Sequence, residues 1–470
     1  MKRKLMENAL EYIDDAYIAD AAAPVKKKRR LPWLGAAAAV LAAAITAGLL
    51  LRPAAVPVQA QGLVAAPSYP QMAPYPADPN SNGYSDWWQS AKAQHNQPLD
   101  YAAGTEEFFR RSINQFLTAD TDKNIAYSPL NVYMALAMLA QTADGESQEQ
   151  ILSLLGSDSM DALRTQAEHM WNAHYWNDGL STSVLAGSLW LQEGFTFNKD
   201  TVGHLTNSFY ASVYQGDLGS DEMNASLQAW LNENTGNLLK EQVEKIGLSE
   251  DAIMALATTI YYNVQWTDEF YADANTKDVF HNPAGDRTVT YMNTGYEMRG
   301  YYWGEDFSAI RLGLHDGSYM WLILPDEGKT VSDILVSGNA LGMIQGNTDC
   351  YSEKHLQVRL SLPKFDITSD TDLIPGLQAL GITHVFDREK ADFSSLVEET
   401  DDIYVNQAQH AVRVAIDEKG LLAAAYTVLG LDGSAAPIGE EIDFVLDRPF
   451  LFLVESSDGL PLFTGVVNQP

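Results

Sequence analysis

The chain has almost no cysteine and few cations for its size. Its 470 residues contain one cysteine, and 30 lysines and arginines stand against 62 aspartates and glutamates. Because Cys350 has no second thiol to pair with, an intramolecular disulfide and a Cys-based zinc or redox site are excluded. We expect Cys350 to be a small apolar core residue, with a reactive thiol as the alternative. The formal net charge of −32 predicts no nucleic-acid partner, because such a surface repels phosphate.

Sequence motifs of the common enzyme classes are also missing. There is no phosphate-binding glycine loop, no HExxH, no EF-hand pattern and no GxSxG. The histidines do not pair at ligand spacing, since His169 and His174 are wrongly spaced for one helical face. Adjacent carboxylates such as Asp401 and Asp402 are typical of solvated surface. We therefore expect no enzyme, no metal site and no cofactor.

A basic cluster at residues 26–30 precedes a long apolar run. The run begins at Leu31, ends at Leu51 and contains no charged side chain. As a helix it would be about 30 Å long, the thickness of the hydrocarbon core of a bilayer. The positive-inside rule then predicts a cytoplasmic tail at 1–30, a single-pass transmembrane helix and an extracellular remainder. A secreted protein released by cleavage near Ala60 is the alternative.

Proline is concentrated in the segment after the apolar run. Seven of the 19 prolines lie between Pro53 and Pro79, with mostly small and polar residues between them. This composition predicts an extended extracellular linker at 52–100, followed by one folded domain at 101–470. Trp87 and Trp88 are unusual in such a linker, but we assign them to it.

Helical patterns come first in the folded region, and strand patterns follow. Residues 106–117 and 131–140 have helical spacing of apolar side chains. Six later segments are typical of strands: 184–192, 253–264, 355–362, 404–416, 444–446 and 450–455. Because helices and strands do not alternate regularly, the order predicts an α+β fold.

The last long strand pattern is followed by an unusually permissive stretch. The strand pattern ends at Ile416, residues 417–420 interrupt it, and residues 421–436 contain no proline and one charged side chain, Asp432. A segment that must become an interior sheet strand needs such a composition, because it buries both faces and cannot accommodate proline. By composition alone the pattern favours an ordinary Ala-rich helix or strand, with a mobile loop able to enter a sheet as the alternative.

A set of short segments runs from about residue 105 to the end of the chain. They are 124–130 with 135–139, 150–152, 188–192, 231–236, 260–263 with Trp266 and Phe270, Leu362-Pro363-Lys364-Phe365, 380–382, 392–394, 405–420, and Asp447-Arg448-Pro449-Phe450 continuing to Pro470. These segments resemble the serpin superfamily of serine protease inhibitors, and they occur in the order found in that family. Together they extend over nearly four-fifths of the chain.

The resemblance implies about nine helices around three β-sheets, with an exposed reactive-centre loop from Gly420 to about Ile438. A target serine protease would cleave this loop and remain attached as an acyl-enzyme while the loop inserts into the large sheet. Gly420 would be the pivot, because it has no Cβ to restrict φ and ψ. The rest of the hinge would be Leu421, Leu422, Ala423, Ala424 and Ala425.

Two counts within the resemblance place the scissile bond differently. Counting from Gly420 gives Ser434-Ala435, whereas counting back from Pro449 gives a bond near Ile438, so the range extends from Leu431 to Ile438. The small side chains at 434–436 would suit an elastase-like or subtilisin-like protease.

The resemblance also assigns residues to the places where the sheet must open. Ser128, Asn131 and His410 would lie near the shutter, and Trp266 in the breach at the top of the sheet. Read without the resemblance, His410 is a hydrogen-bonded core histidine and Trp266 a core aromatic.

Two features depart from the pattern of inhibitory members. Bulky Leu421 and Leu422 stand where a small or β-branched residue followed by glutamate is usual, and Thr258 replaces a typical asparagine. From the apolar run and the resemblance together we predict a bacterial, membrane-anchored, monomeric inhibitor of serine proteases. The two departures favour the alternative, a non-inhibitory surface-binding protein of the same fold.

Overall fold

A computed structural model describes residues 62–76, 78, 82–118, 123–249, 251–282, 284–397, 399–400, 402–421 and 440–470. The predicted tail at 1–30 and the predicted transmembrane helix at 31–51 lie outside these residues. Within the described ranges, no helix is both long and apolar enough to cross a bilayer.

Eleven α-helices occur in the described part of the chain, where about nine were expected. They are α1 (Asn82–Gln94), α2 (Glu106–Leu117), α3 (Pro129–Thr142), α4 (Gly145–Leu155), α5 (Met160–His174), α6 (Lys199–Ser208), α7 (Asp221–Asn234), α8 (Lys240–Val243), α9 (Val331–Ser337), α10 (Asn339–Ile344) and α11 (Ile374–Ala379). The number implied by the resemblance was too low, in part because α1 lies in the predicted linker, before the segments that carry the resemblance.

Seventeen strands accompany these helices in the described residues. They are β1 (Leu63–Ala65), β2 (Ile125–Tyr127), β3 (Trp176–Asn177), β4 (Thr182–Gln192), β5 (Ala211–Gly216), β6 (Met254–Gln265), β7 (Thr276–Phe280), β8 (Arg287–Trp303), β9 (Phe307–Gly313), β10 (Tyr319–Pro325), β11 (Ser352–Pro363), β12 (Asp366–Asp372), β13 (Gln409–Ala415), β14 (Gly420–Leu421), β15 (Glu441–Val445), β16 (Phe450–Glu455) and β17 (Pro461–Val467).

The strands form three sheets in the described chain. The first has the order β1-β5-β4-β6-β14, with β3 paired to β4; the second has nine strands in the order β15-β11-β8-β9-β10-β16-β17-β2, with β7 paired to β8; the third is the pair β12-β13. Strands β16 and β17 are almost wholly buried, so their hairpin forms the centre of the main core. Apolar side chains on both faces are what a strand enclosed between layers requires.

The first sheet runs from an amino-terminal edge to a carboxy-terminal edge. Strand β4 is parallel to β5 and antiparallel to β6, so the last residues of β5 and the first residues of β6 lie at the same end of the sheet. We call this the lower end. The last residue of β6, Gln265, lies at the upper end, where β14 pairs with β6.

Part of the predicted linker packs on the folded domain. We call residues 62–76 and 82–98 the amino-terminal strap. Strand β1 pairs with β5, and the Tyr69 ring lies 5.2 Å from that of Trp171. Trp87 is 5% exposed and donates a hydrogen bond from Nε1 to Asp178 at 3.0 Å. The structure thus differs from the predicted boundary at residue 101, because interspersed aromatic residues give this proline-rich segment enough apolar surface to bury.

Candidate functional site

A cleft of about 790 Å³ separates β6 of the first sheet from β13. In the described residues β13 pairs only with β12, and β6 pairs with β4 and with β14. The two strands that flank the cleft therefore have edge positions along most of their length. Such edges present unpaired backbone donors and acceptors, which is the template that an added strand requires.

The inner wall of the cleft is formed by α3. Ser128 caps this helix, with Oγ accepting from the backbone N–H of Asn131 at 3.4 Å, and Pro129 occupies its first turn. The helix is apolar around nearly its whole circumference and is therefore buried. Val132, Leu136 and Leu139 line the cleft from this side.

The outer wall is formed by α7, which lies across the opposite face of the sheet. Leu227 and Leu231 of this helix pack with Ala255 and Ala257 of β6. Residues of β6 alternate between the two walls, so Tyr262 and its inner-facing neighbours belong to the main core instead. The cleft passes through the sheet from one helix layer to the other.

The two residues of β14 occupy the upper end of the cleft. Gly420 pairs with Gln265 and Leu421 with Val264, both antiparallel. On its other side Leu421 forms an antiparallel bridge with Ile416, the residue after β13, so it lies between β6 and the end of β13. The first two residues of the predicted exposed loop are therefore buried, and Leu421 is only 2% exposed.

Close backbone approach at Gly420 requires a glycine. A Cβ atom built at this position would lie 2.3 Å from the carbonyl oxygen of Val264 and 2.6 Å from Cα of Gln265. These distances are far below van der Waals contact, and both neighbours are backbone atoms of β6. The sequence suggests flexibility as the reason for this glycine, and the structure adds a steric one.

The turn before Gly420 is held by Trp266. Its Nε1 donates to the carbonyl of Asp417 at 2.9 Å, and its backbone N–H donates to the carbonyl of Lys419 at 2.8 Å. Asp417 in turn accepts the backbone N–H of Lys419 through Oδ1 at 2.8 Å. Trp266 is 1% exposed, so its indole has both a packing and a hydrogen-bonding role at this end of the sheet.

An ion pair fixes the same turn to the body of the domain. Lys364 Nζ lies 2.5 Å from Glu418 Oε1, which also accepts a hydrogen bond from Asn275 Nδ2. Burial by itself would raise the pKa of Glu418, but the hydrogen bonds from Lys364 and Asn275 outweigh it and lower the pKa. Lys364 belongs to the Leu362–Phe365 motif noted in the sequence, which gave it no role, and no signal pointed to Asn275 or Glu418.

His410 connects β13 to the start of α3. The backbone N–H of Ser128 donates to His410 Nε2 at 3.1 Å, and Ser128 Oγ donates to the carbonyl of Leu462 at 2.7 Å. The ring is fully buried, and this burial lowers the pKa of His410 to about 4. His410 is therefore neutral at pH 7 and accepts the Ser128 N–H, since protonation would turn the acceptor into a donor.

A buried hydroxyl lies beside the cleft in the middle of β6. Thr259 is 5% exposed, and its Oγ1 has no hydrogen-bond partner among the described residues. An unsatisfied buried hydroxyl costs roughly 1–3 kcal/mol. The neighbouring Thr258, which stands where relatives of the predicted family typically have asparagine, also lines the cleft.

The structure brings some of the predicted site residues together. Ser128, Asn131 and His410 form one cluster, and Trp266 contacts the hinge turn. The remaining hinge residues Leu422, Ala423, Ala424 and Ala425, and the predicted scissile residues Ser434 and Ala435, lie outside the described residues. In the described residues no group of three His, Cys, Asp or Glu side chains could hold a metal ion.

The chain is similar to known proteins in both sequence and structure. A family model described as "Serpin (serine protease inhibitor)" matches residues 103–470. Plasminogen activator inhibitor 1 of Sus scrofa is 27% identical over 402 residues, which is 81% of this chain and 95% of that protein. Neuroserpin of Homo sapiens is 27% identical over 374 residues, 76% of this chain and 88% of that protein.

The structural comparison agrees at the level of fold. The crystal structure of the thermophilic serpin tengpin in its native state superimposes with a TM-score of 0.71 at 24% sequence identity. The match covers 80% of this chain and 95% of that one.

Proposed function

Because the chain belongs to the serpin family, we propose that it inhibits serine proteases by a single-use trap. The protease would cleave the loop beyond Leu421 and form an acyl-enzyme, and the loop would then insert into the first sheet before hydrolysis is complete. The observation that carries the proposal is the cleft between β6 and β13, with β14 already paired at its upper end.

The register of β14 defines how far insertion would extend. Continued beyond Leu421 in the same antiparallel register, the loop would place Ala425 opposite Ile260 and Leu431 opposite Met254, the first residue of β6. The twelve residues of β6 thus have twelve potential partners, from Gly420 to Leu431. None of these partners is proline or charged, which suits an interior strand.

The composition of the loop also fits the two walls of the cleft. Strand alternation would direct Ala423, Ala425 and Thr427 inward against α3, on the same side as Leu421. Small inward side chains suit a narrow space beside a helix that is already packed. The alternate positions would face α7.

We further propose that the scissile bond is Ser434-Ala435 and that the target has a small specificity pocket. Ser434 is three residues beyond Leu431, so the register leaves the bond outside the inserted strand, where an attached protease has space. Small side chains at 434–436 favour elastase-like or subtilisin-like enzymes.

The test is formation of a covalent complex between the full chain and such a protease, seen as an SDS-resistant band. The variant Thr427→Arg should abolish the band while leaving the loop cleavable, because an arginine facing α3 would be buried without a partner. Asp432→Arg is the matched control, since residue 432 lies beyond the first residue of β6, and it should form the complex normally. Complete turnover of the wild-type loop without any band would contradict the proposal.

A non-inhibitory binding protein of the same fold is the second candidate. The observation that favours it is the bulk of Leu422, which would have to pass into the cleft during insertion and would slow it. Leu421 is a weaker objection, because it is already accommodated between Val264 and Ile416. Slow insertion allows hydrolysis to finish, so Leu422→Ala should increase the fraction of protease trapped if the trap operates.

We also propose that the apolar run from Leu31 to Leu51 anchors the chain in the membrane, with the inhibitor domain outside the cell. Its support is the length of the run and the cations at 26–30. A tag placed at the amino terminus should remain on the mature membrane-bound protein. Recovery of a soluble protein that begins near Ala60 would contradict the anchor.

A further inference from the structure

One row of paired residues crosses the lower end of the first sheet. Met254 of β6 pairs with Leu191 of β4, and Leu191 pairs with Gln215 of β5. The backbone N–H of Gln215 donates to the carbonyl of Gly62 at 2.8 Å. The start of the strap is therefore level with the first residue of β6, three strand spacings or about 14 Å away.

The backbone at Gly62 has no space for a side chain. It has a φ of +83°, and a Cβ atom there would lie 2.3 Å from the carbonyl oxygen of Gln215. Both facts require glycine, so the backbone of the strap packs closely against the edge of the sheet. The strap precedes residue 103, where the match to the family begins, and is thus an addition to the family's own domain.

The two residues after Gly62 expose apolar side chains at this end of the sheet. Leu63 is 49% exposed and Val64 is 58% exposed. The register shifts between Leu63 and Ala65, which leaves Val64 as the extra residue of a bulge at this sheet edge. Exposed aliphatic side chains on a sheet edge are usually guarded or covered.

The proposed trap would deliver a protease to the same place. With Leu431 opposite Met254, an acyl bond at Ser434 would lie about 10 Å beyond the lower end of the sheet. A globular protease of about 230 residues has a radius of roughly 22 Å. Its surface would therefore extend across the roughly 19 Å that separates the inserted strand from β1.

We propose that Leu63 and Val64 form a contact surface for the trapped protease, so that the strap takes part in the final complex and not in the first encounter. The inference rests on the proposed function, because it requires insertion of the loop. First encounter takes place at the loop, at the upper end of the sheet, about 36 Å from Gly62 along the length of β6. Apolar contact with a broad range of serine proteases is the chemistry that these two side chains offer.

Site-specific photo-crosslinking in the full chain tests the inference. A benzophenone amino acid would be introduced as Leu63→p-benzoylphenylalanine or Val64→p-benzoylphenylalanine. Trp88→p-benzoylphenylalanine is the matched control, because Trp88 is 52% exposed on the same strap but neighbours Trp87, which packs near Trp176 at the upper end. The probe is a subtilisin-like protease, and samples are irradiated before and after covalent complex formation.

The expected result is a crosslink from position 63 or 64 to the protease only after the covalent complex has formed, with at least a fivefold weaker crosslink from position 88. A covalent complex without a crosslink from either position, or with equal crosslinking at 88, would overturn the inference and leave the proposed function intact. If no covalent complex forms, the proposed function fails and the inference fails with it.

Discussion

At Gly420 a single hydrogen atom in place of a side chain allows the hinge to pair with β6. Because a Cβ would meet the backbone of Val264 and Gln265, Gly420→Ala must separate these strands. We expect a loss of about 2 kcal/mol in the free energy of unfolding, measured by urea denaturation. We also expect slower loop insertion, because the first residue pairs between the new strand and β6 would be missing.

Gly295→Ala provides the control for this prediction. Gly295 lies within β8, and a Cβ atom there would have no neighbour within 4 Å. The variant should unfold within about 0.5 kcal/mol of the wild type. Equal stability of the two variants would show that the close approach at Gly420 does not affect the free energy of unfolding.

His410 predicts how stability depends on pH. Its pKa is about 4 when folded, against about 6.5 in the unfolded chain, so the folded state binds fewer protons between these values. The stability that depends on neutral His410 is fully present above pH 6.5. The free energy of unfolding then decreases by roughly 3 kcal/mol as the pH falls toward 4. Urea denaturation across this range should show the decline.

The variant His410→Gln should flatten that decline, because glutamine does not titrate and its Oε1 can still accept from Ser128. His281→Gln is the matched control, since the side chain of His281 is 60% exposed and near no part of the cleft. An unchanged pH profile in His410→Gln would assign the decline to other groups. Asp458 does not interfere with this test. Its pKa is lowered in the folded state, so its contribution to folding stability is lost only at a pH below this range.

Among the elements, the strap shows where composition misled the prediction. Prolines at 53–79 were interpreted as a sign of an unpacked spacer, yet the aromatic residues between and after them dock on the domain. Tyr69, Tyr75 and Trp87 find partners at positions more than 90 residues away in the chain. Such contacts leave no periodic pattern in the sequence, which is why the linker prediction extended to residue 100.

A pair of adjacent tryptophans tests whether the strap is part of the folded unit. Trp87→Ala should lower the free energy of unfolding by about 3 kcal/mol, because it removes a buried ring and leaves Asp178 without its indole donor. Trp88→Ala should change it by less than about 0.5 kcal/mol, since Trp88 is half exposed. Thermal or urea unfolding of the two variants would suffice, and equal small effects would restore the linker interpretation.

Several strands, by contrast, were predicted closely, although β8, the longest, and its neighbours β9 and β10 were not predicted. Residues 450–455 coincide with β16, and 253–264 differ from β6 by one residue at each end. The prediction at 404–416 was longer than β13, which begins at Gln409. The excess residues 404–408 line the lower part of the cleft instead of pairing with another strand.

For the molecule as a whole, the proposed trap requires that the uncut chain is not at its free-energy minimum. Cleavage within 430–440 should release the loop to insert, adding about ten paired residues to the two of β14. We expect the melting temperature to rise by about 10 °C or more, because apolar side chains and strand edges become buried. Differential scanning calorimetry of cut and uncut protein measures this, and equal melting temperatures would indicate that the loop does not insert.

The sequence alone determined the character of each segment, because local composition and periodicity reflect what a segment must bury. The α+β class, several of the strands, the lack of proline and charge from Gly420 to Leu431, and the resemblance to serpins all follow from local patterns. Only the tertiary structure decided which segments meet: the strap on β5, His410 on Ser128, Glu418 on Lys364, and the cleft between β6 and β13. These contacts join residues far apart in the chain, and their free energy depends on packing and register, which no short stretch of sequence encodes.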